Sequence, residues 1–250
     1  MKFRFKALGW HFGASIAALL LILGTLYLGW YRWPGWYLSG LLSILPIIIA
    51  VDAALGPLMT FIIASPNKPK SELARDIAVI AGIQVLALGY GAFTMWSGRP
   101  LYYAYSGNEL SVVQASDLEP AEINLGRQTN PDFAPYWYSR PQWVYAPNPA
   151  AGSAPAKSAQ SRDDFSDSTE TPSDMLAWSK GLADLRKKLQ KVDDWKYFTG
   201  KQKEILERRM AEQGYAVDAA NTIPMTGKGA PLLAIFDTNS MTIRTLLRAD

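Results

Sequence analysis

The chain has no cysteine among its 250 residues. That excludes a disulfide framework and any thiolate metal site. It has one histidine, His11, so no pair of imidazoles can hold a metal within one chain. Excess charge is missing too. Twenty-five Lys and Arg face 22 Asp and Glu, and a net charge of +3 gives no electrostatic footprint for nucleic acid. No glycine-rich phosphate loop, paired catalytic acids or nucleophile elbow occurs. The expectation is a protein without catalytic residues, without a metal and without a cofactor. Hydrophobic residues make up 49% and charged residues 19%, near globular averages, but the average hides two unlike halves. Nearly all long apolar runs precede Gly98, and most of the charge follows it.

What the first half does contain is three apolar runs, at about 12–30, 37–65 and 77–97. Each is long enough, at 1.5 Å rise per residue, to cross a hydrocarbon core of roughly 30 Å. The first follows a basic start with Lys2, Arg4 and Lys6 and exceeds a signal-peptide core in length. It leads into WYRWPGWY at 30–37, read as an aromatic belt at a membrane–water interface. The second is too long to stand straight, and Pro46 and Pro57 are its natural bends. Basic residues concentrate at the N-terminus and at 66–76, whereas Arg32 stands alone between the first two runs. The positive-inside rule then puts the N-terminus and 66–76 in the cytoplasm and everything after Gly98 on the far side.

Residues 99–250 read as a small α+β domain. Residues 99–148 read as short strands and extended segments, with strands in LYYAYS and ELSVVQA around Gly107-Asn108, and two more strands are expected in the last twenty residues around Asp237-Thr238-Asn239-Ser240. Helices are expected at 175–192 and 200–213, the latter stopped by Gly214. Residues 131–149, rich in proline and aromatics, read as an irregular surface loop, and 150–174 as a flexible segment.

The chemistry-bearing feature of the first half is Asp52 inside the second run, four residues before Gly56-Pro57. A carboxylate there costs roughly 2.5–3.5 kcal/mol on insertion scales. Either it serves function, as a contact for a partner helix or a protonatable group, or it is neutralised inside its own bundle. Pro57 removes a backbone donor and crowds the carbonyl one turn back. Gln84, in the third run, is placed to bond Asp52 or that bent backbone, and Thr60 extends a stripe of small residues with Ala53, Gly56 and Ala64. Asp52, Gly56, Pro57, Thr60 and Gln84 are the candidate partner-binding set. The loop with Lys68, Lys70, Glu72, Arg75 and Asp76 is read as a topology determinant that touches anionic headgroups or a cytoplasmic partner. Arg99, Pro100 and Tyr103 are read as an anchor at the membrane exit.

Several of these segments together carry a family resemblance. VDAALGPLMTFI, NKPKSELARDIAVI, IQVLALGYGAFTMW and RPLYYAY, spanning roughly 40–105, resemble the TfpX/TfpZ family of type IV pilin accessory proteins. The resemblance implies a multi-pass protein of the bacterial inner membrane with a periplasmic C-terminal domain and no enzymatic activity. It implies the major type IV pilin as partner, with other inner-membrane pilus assembly proteins and the bilayer itself as further contacts. On that reading the bundle near Asp52 receives the apolar N-terminal helix of the pilin, and the domain reads its head. Two rivals use Asp52 differently: a proton-coupled transport component, in which Asp52→Asn abolishes flux, and a sensing complex.

Overall fold

A computed structural model describes residues 2–65, 67–107, 109–147 and 170–250. The chain divides into two compact units. One comprises residues 1–29 and 41–97, the other 30–40 and 98–250.

The first unit holds three helical stretches long and apolar enough to cross a membrane, Lys2–Gly29, Leu41–Ile63 and Lys70–Ser97. The first is helix α1 and the third α5. The middle stretch is composite: α3 (Leu41–Ile49), a π-helical turn (Ala50–Leu55) and α4 (Gly56–Ile63). It begins at Leu41, not at 37, because α2 (Gly35–Leu38) belongs to the other unit. Helix α5 begins at Lys70, seven residues before the apolar run expected at 77. Its first two turns are polar, and a helix continues past its apolar stretch until a breaker, here Pro69, ends it.

The second unit is built on a seven-stranded mixed sheet with order β4-β3-β1-β2-β5-β6-β7. The strands are β1 (Pro100–Tyr105), β2 (Leu110–Gln114), β3 (Gln142–Tyr145), β4 (Leu176–Ala177), β5 (Thr222–Thr226), β6 (Leu232–Asp237) and β7 (Thr242–Arg248). The central hairpin β1–β2 is antiparallel, and each of its strands has a parallel outer neighbour, β3 on β1 and β5 on β2. Helices α6 (Pro120–Thr129), α7 (Trp178–Lys188) and α8 (Gly200–Glu212) complete the unit. Every residue of β1 is buried, because both faces of the sheet are covered. Tyr103 and Tyr105 join a core with Leu185 of α7 and Leu206 and Met210 of α8. Tyr102 and Ala104 join a second core with Leu118, Val144 and Met175, against which Ile123 of α6 packs. A strand buried on both faces reads as a continuous apolar run, which LYYAY is.

The hairpin strands, the β6–β7 pair and helix α8 fall where the sequence puts them, and α7 covers 178–188 of the helix expected at 175–192, whose Leu176–Ala177 pair as strand β4 instead. Three expectations are corrected. Residues 142–145 form an interior strand of the sheet rather than irregular loop. Residues 120–129 form a helix, its Pro120 at the first turn and its start closed by a reciprocal Glu119–Glu122 capping box. Of the segment expected to be flexible, 170–174 is built in: Glu170 is buried and accepts from Ser111 Oγ at 2.8 Å, and the Asn130 amide donates to the carbonyl of Pro172 at 3.0 Å. The rest of that expectation, 150–169, lies outside the described residues, as does Asn108 of the expected β1–β2 turn.

Residues 30–37, read from sequence as an interfacial belt, and 38–40, read as the start of the second apolar run, belong to the second unit. Tyr31, Tyr37 and Leu38 are buried, the last two in the same core as β6. The Gly229 N–H donates to the Leu38 carbonyl at 2.8 Å, and Gln114 Nε2 donates to the Ser39 carbonyl at 2.9 Å. A Cβ on Gly229 would stand 2.0 Å from the Tyr37 carbonyl oxygen, and one on Gly227 2.5 Å from that of Leu38. Only glycine permits that approach. The expected exit anchor is drawn into the same interior. Arg99 is buried beside Tyr31, Pro100 opens the central strand, and the Tyr103 hydroxyl lies against Gly35. Burial pushes the Tyr103 phenol up to about 12. Tyrosines prefer a membrane interface only when no protein surface buries their rings and serves their hydroxyls; here the sheet does both.

Candidate functional site

The site of interest is in the first unit, where the middle helix bends. Pro57 has no N–H, so a regular α-helix through it leaves the carbonyl of residue 53 without its donor. The chain responds with one π turn, in which the Gly56 N–H bonds to Val51 O instead of to Asp52 O. In the π register the Asp52 carbonyl would accept from residue 57, which is proline. The π turn therefore moves the lost donor from the carbonyl of residue 53 to that of Asp52. Gln84 of α5 supplies the missing donor, with Nε2 3.3 Å from Asp52 O in a buried bond. The amide reaches it by lying across Gly56, where a Cβ would come within 1.8 Å of Nε2. Asp52, Gly56, Pro57 and Gln84 thus form one device: an interrupted helix, the glycine that opens room beside it and the side chain that fills the room.

The same turn sets the Asp52 side chain facing a cleft of about 480 Å³. Its lining includes Trp10, His11, Ala14 and Ala18 of α1, Thr60 of α4, and Ala81, Gln84 and Val85 of α5. The walls are mostly apolar and the polar groups converge at Asp52, Thr60 and Gln84, which are 3%, 2% and 8% exposed. Thr60 Oγ1 is hydrogen-bonded to His11 Nδ1, tying α4 to α1. Among the described residues no hydrogen bond or ion pair reaches the Asp52 carboxylate, and Gln84 Oε1 is a buried acceptor without a partner. The cleft therefore presents the Asp52 carboxyl to whatever enters it, and a purely apolar group leaves that carboxyl buried and unpaired.

All five residues of the expected partner-binding set lie at this one place, four of them in the bend and Thr60 one turn beyond. His11 was not in that set. The available signal was a lone imidazole in an apolar run, which by itself has no stated partner. Of the glycines in the apolar helices, Gly56 and Gly91 meet side chains of neighbouring helices, Gln84 and Ile48, while Gly13, Gly82 and Gly89 have no atom within 4 Å of an added Cβ. The basic loop residues are away from the cleft. Lys68 pairs with Asp76, and Lys70, Glu72 and Arg75 are exposed. Among the described residues no group of three or more His, Asp or Glu is placed to hold a metal ion.

No family model matches the chain, and no solved structure matches it. Curated relatives do. The fimbrial assembly protein of serogroup I from Dichelobacter nodosus is 29% identical over 136 residues, 54% of this chain and 52% of that protein. The serogroup E1 protein is 28% identical over the same length and the same shares. The protein of serogroups C1 and C2 is 28% identical over 116 residues, 46% of this chain and 88% of that one. The chain thus spans about half the length of the first two relatives it matches. With three apolar helices ahead of a mixed-sheet unit, it is similar to the fimbrial assembly proteins, and that similarity supports a part in pilus biogenesis.

Proposed function

We propose that this chain is a non-enzymatic accessory protein of the bacterial inner membrane that binds the major type IV pilin and promotes its assembly or surface display. The three apolar helices cross the membrane with the N-terminus and the 66–76 loop in the cytoplasm, and the mixed-sheet unit stands in the periplasm. The apolar N-terminal helix of the pilin docks along the cleft beside α1, α4 and α5. The observation that carries this reading is the Asp52 carboxylate, buried, unpaired and facing that cleft. An intramembrane acid is retained against its cost where something uses it. The cleft takes side chains of a docked helix rather than a whole helix of 10–12 Å diameter, so the client lies across its mouth.

The test is recovery of pilin with the detergent-solubilised protein from its native cells, wild type beside Asp52→Asn. The variant keeps shape and loses the acid. A buried bond of about 1–3 kcal/mol predicts roughly a fivefold or greater fall in recovered pilin at equal protein level. Equal recovery would remove Asp52 from recognition, and no pilin with either protein would remove the pilin from the function.

A further inference from the structure

Of the residues expected to sit at the membrane–water boundary, Tyr31, Tyr37, Arg99 and Tyr103 are buried inside the second unit, whereas Trp33 is 41% exposed. On the same unit, Tyr136, Trp137 and Tyr138 are 40%, 69% and 59% exposed, and Arg140 beside them is exposed as well. Three consecutive exposed aromatics are a costly surface for a soluble protein unless something covers them.

Two independent tethers fix where this loop lies. Trp30 immediately follows Gly29, the last residue of α1, about 3.8 Å along the chain. Its indole Nε1 donates to the Ser139 carbonyl at 2.6 Å. The loop also feeds β3, which runs parallel to β1 with Gln142 opposite Tyr102. Residues 136–141 therefore lie at the end of the sheet where β1 starts, and β1 starts three residues after α5 ends at Ser97. The first and third apolar helices both deliver the chain to this end. The loop is held in shape there. Tyr136 and Ser139 bond to each other through Tyr136 N–H to Ser139 Oγ at 2.9 Å and Ser139 N–H to Tyr136 O at 3.1 Å. The Tyr136 and Tyr138 rings stack at 5.6 Å, and the Arg127 guanidinium lies 5.2 Å over Tyr136.

We infer that Tyr136, Trp137, Tyr138 and Arg140 form an interfacial anchor that seats the sheet unit in the lipid headgroup layer. Trp and Tyr rings favour that layer, where one part of the ring meets acyl chain and the polar tip meets water. Arg140 meets anionic headgroups. The inference rests on α1 and α5 being membrane spans and is independent of the pilin reading.

The absence of cysteine makes the test direct. Full-length protein with Trp137→Cys, and separately Tyr138→Cys, is labelled with a fluorophore and reconstituted into vesicles of phosphatidylethanolamine and phosphatidylglycerol. A fraction of the lipid carries a nitroxide quencher, near the headgroup or near the chain end. Asn239→Cys, in the β6–β7 turn at the opposite end of the strands, is the reference. The expected result is at least about a twofold loss of emission at 137 and 138 with the shallow quencher, less with the deep one, and none at 239, as for side chains seated 5–10 Å into the interface. Emission unchanged at both positions overturns the proposal, including where a partner protein shields them from water. Equal quenching at 239 overturns it too, since the loop would then have no special place.

Discussion

Gly56 is tied to Gln84 by space and to Pro57 by bonding, so its substitution reports on the whole bend. Gly56→Ala places a methyl 1.8 Å from Gln84 Nε2 and forces the amide off the Asp52 carbonyl. Gln84→Ala empties the same position. Each leaves one buried acceptor unpaired, a cost of about 1–3 kcal/mol. Because both remove one bond, the double variant should cost little more than either single one. Thermal unfolding of the purified protein in detergent checks this, and additive losses would mean the bond is not what Gly56 protects. A second residue gives a pH signature. Burial raises the Glu170 carboxyl above its ordinary 4.5, only partly opposed by the Ser111 hydroxyl. Above 4.5 the unfolded chain has lost a proton that the folded one still holds. Stability is therefore full below that pH and falls as pH rises through the folded value, by at most about 1.4 kcal/mol per pH unit. Glu170→Gln should remove this slope and stabilise the protein on its alkaline side; chemical denaturation across pH measures it, and an unchanged profile would exclude Glu170 as the cause.

At the scale of elements, the segment 30–40 is where sequence and structure part. Its aromatic content was legible, and a membrane interface was the partner that composition alone could name. The true partner is formed by Tyr103, Gly227, Gly229 and Arg248, from 66 to 211 residues further on, the last with its guanidinium 4.8 Å over the Tyr37 ring. Such long-range complementarity leaves no local periodicity. The apolar helices were legible because lipid-length runs need no partner to be recognised. Strand β3 was not, since prolines at 135, 141 and 147 crowd its four residues. Helix α6 was hidden because its apolar residues are few and its capping glutamates carry the signal. In the site, Asp52, Pro57 and Gln84 stood out as polar or helix-breaking residues in apolar runs, whereas the π turn that unites them decides which carbonyl Pro57 leaves without a donor, and no local pattern shows that. The docking of 30–40 is testable through Gly229→Ala. Its methyl meets the Tyr37 carbonyl oxygen at 2.0 Å and breaks the bond to Leu38 O. Overpacking of this kind costs about 1–3 kcal/mol. The expected readout is faster amide exchange at 37–40 and 227–229 with the apolar helices unaffected; unchanged exchange would show that the segment docks without that bond.

At the scale of the whole molecule, the composition of the second unit constrains the path of the chain. Residues 30–40 and 98–250 share one interior, so both occupy the same side of any bilayer. The chain leaves that unit after Gly40 as an apolar helix to Ile63 and returns through α5 to Gly98. On the proposed reading, in which each apolar helix crosses the bilayer, Lys2 and Asn67 lie on the opposite side. The basic residues at 2–6 and 66–76 favour the same arrangement through the positive-inside rule. Single-cysteine labelling decides it, since the chain supplies no background thiol. Asn239→Cys should react with a membrane-impermeant maleimide once the outer membrane alone is opened. Asn67→Cys should react only after the inner membrane is dissolved. Early labelling at both positions would leave the middle stretch lying on the membrane rather than crossing it. The Asp52 cleft would then face solvent, its carboxylate would carry no insertion cost, and the case for a docked client helix would lose its physical basis.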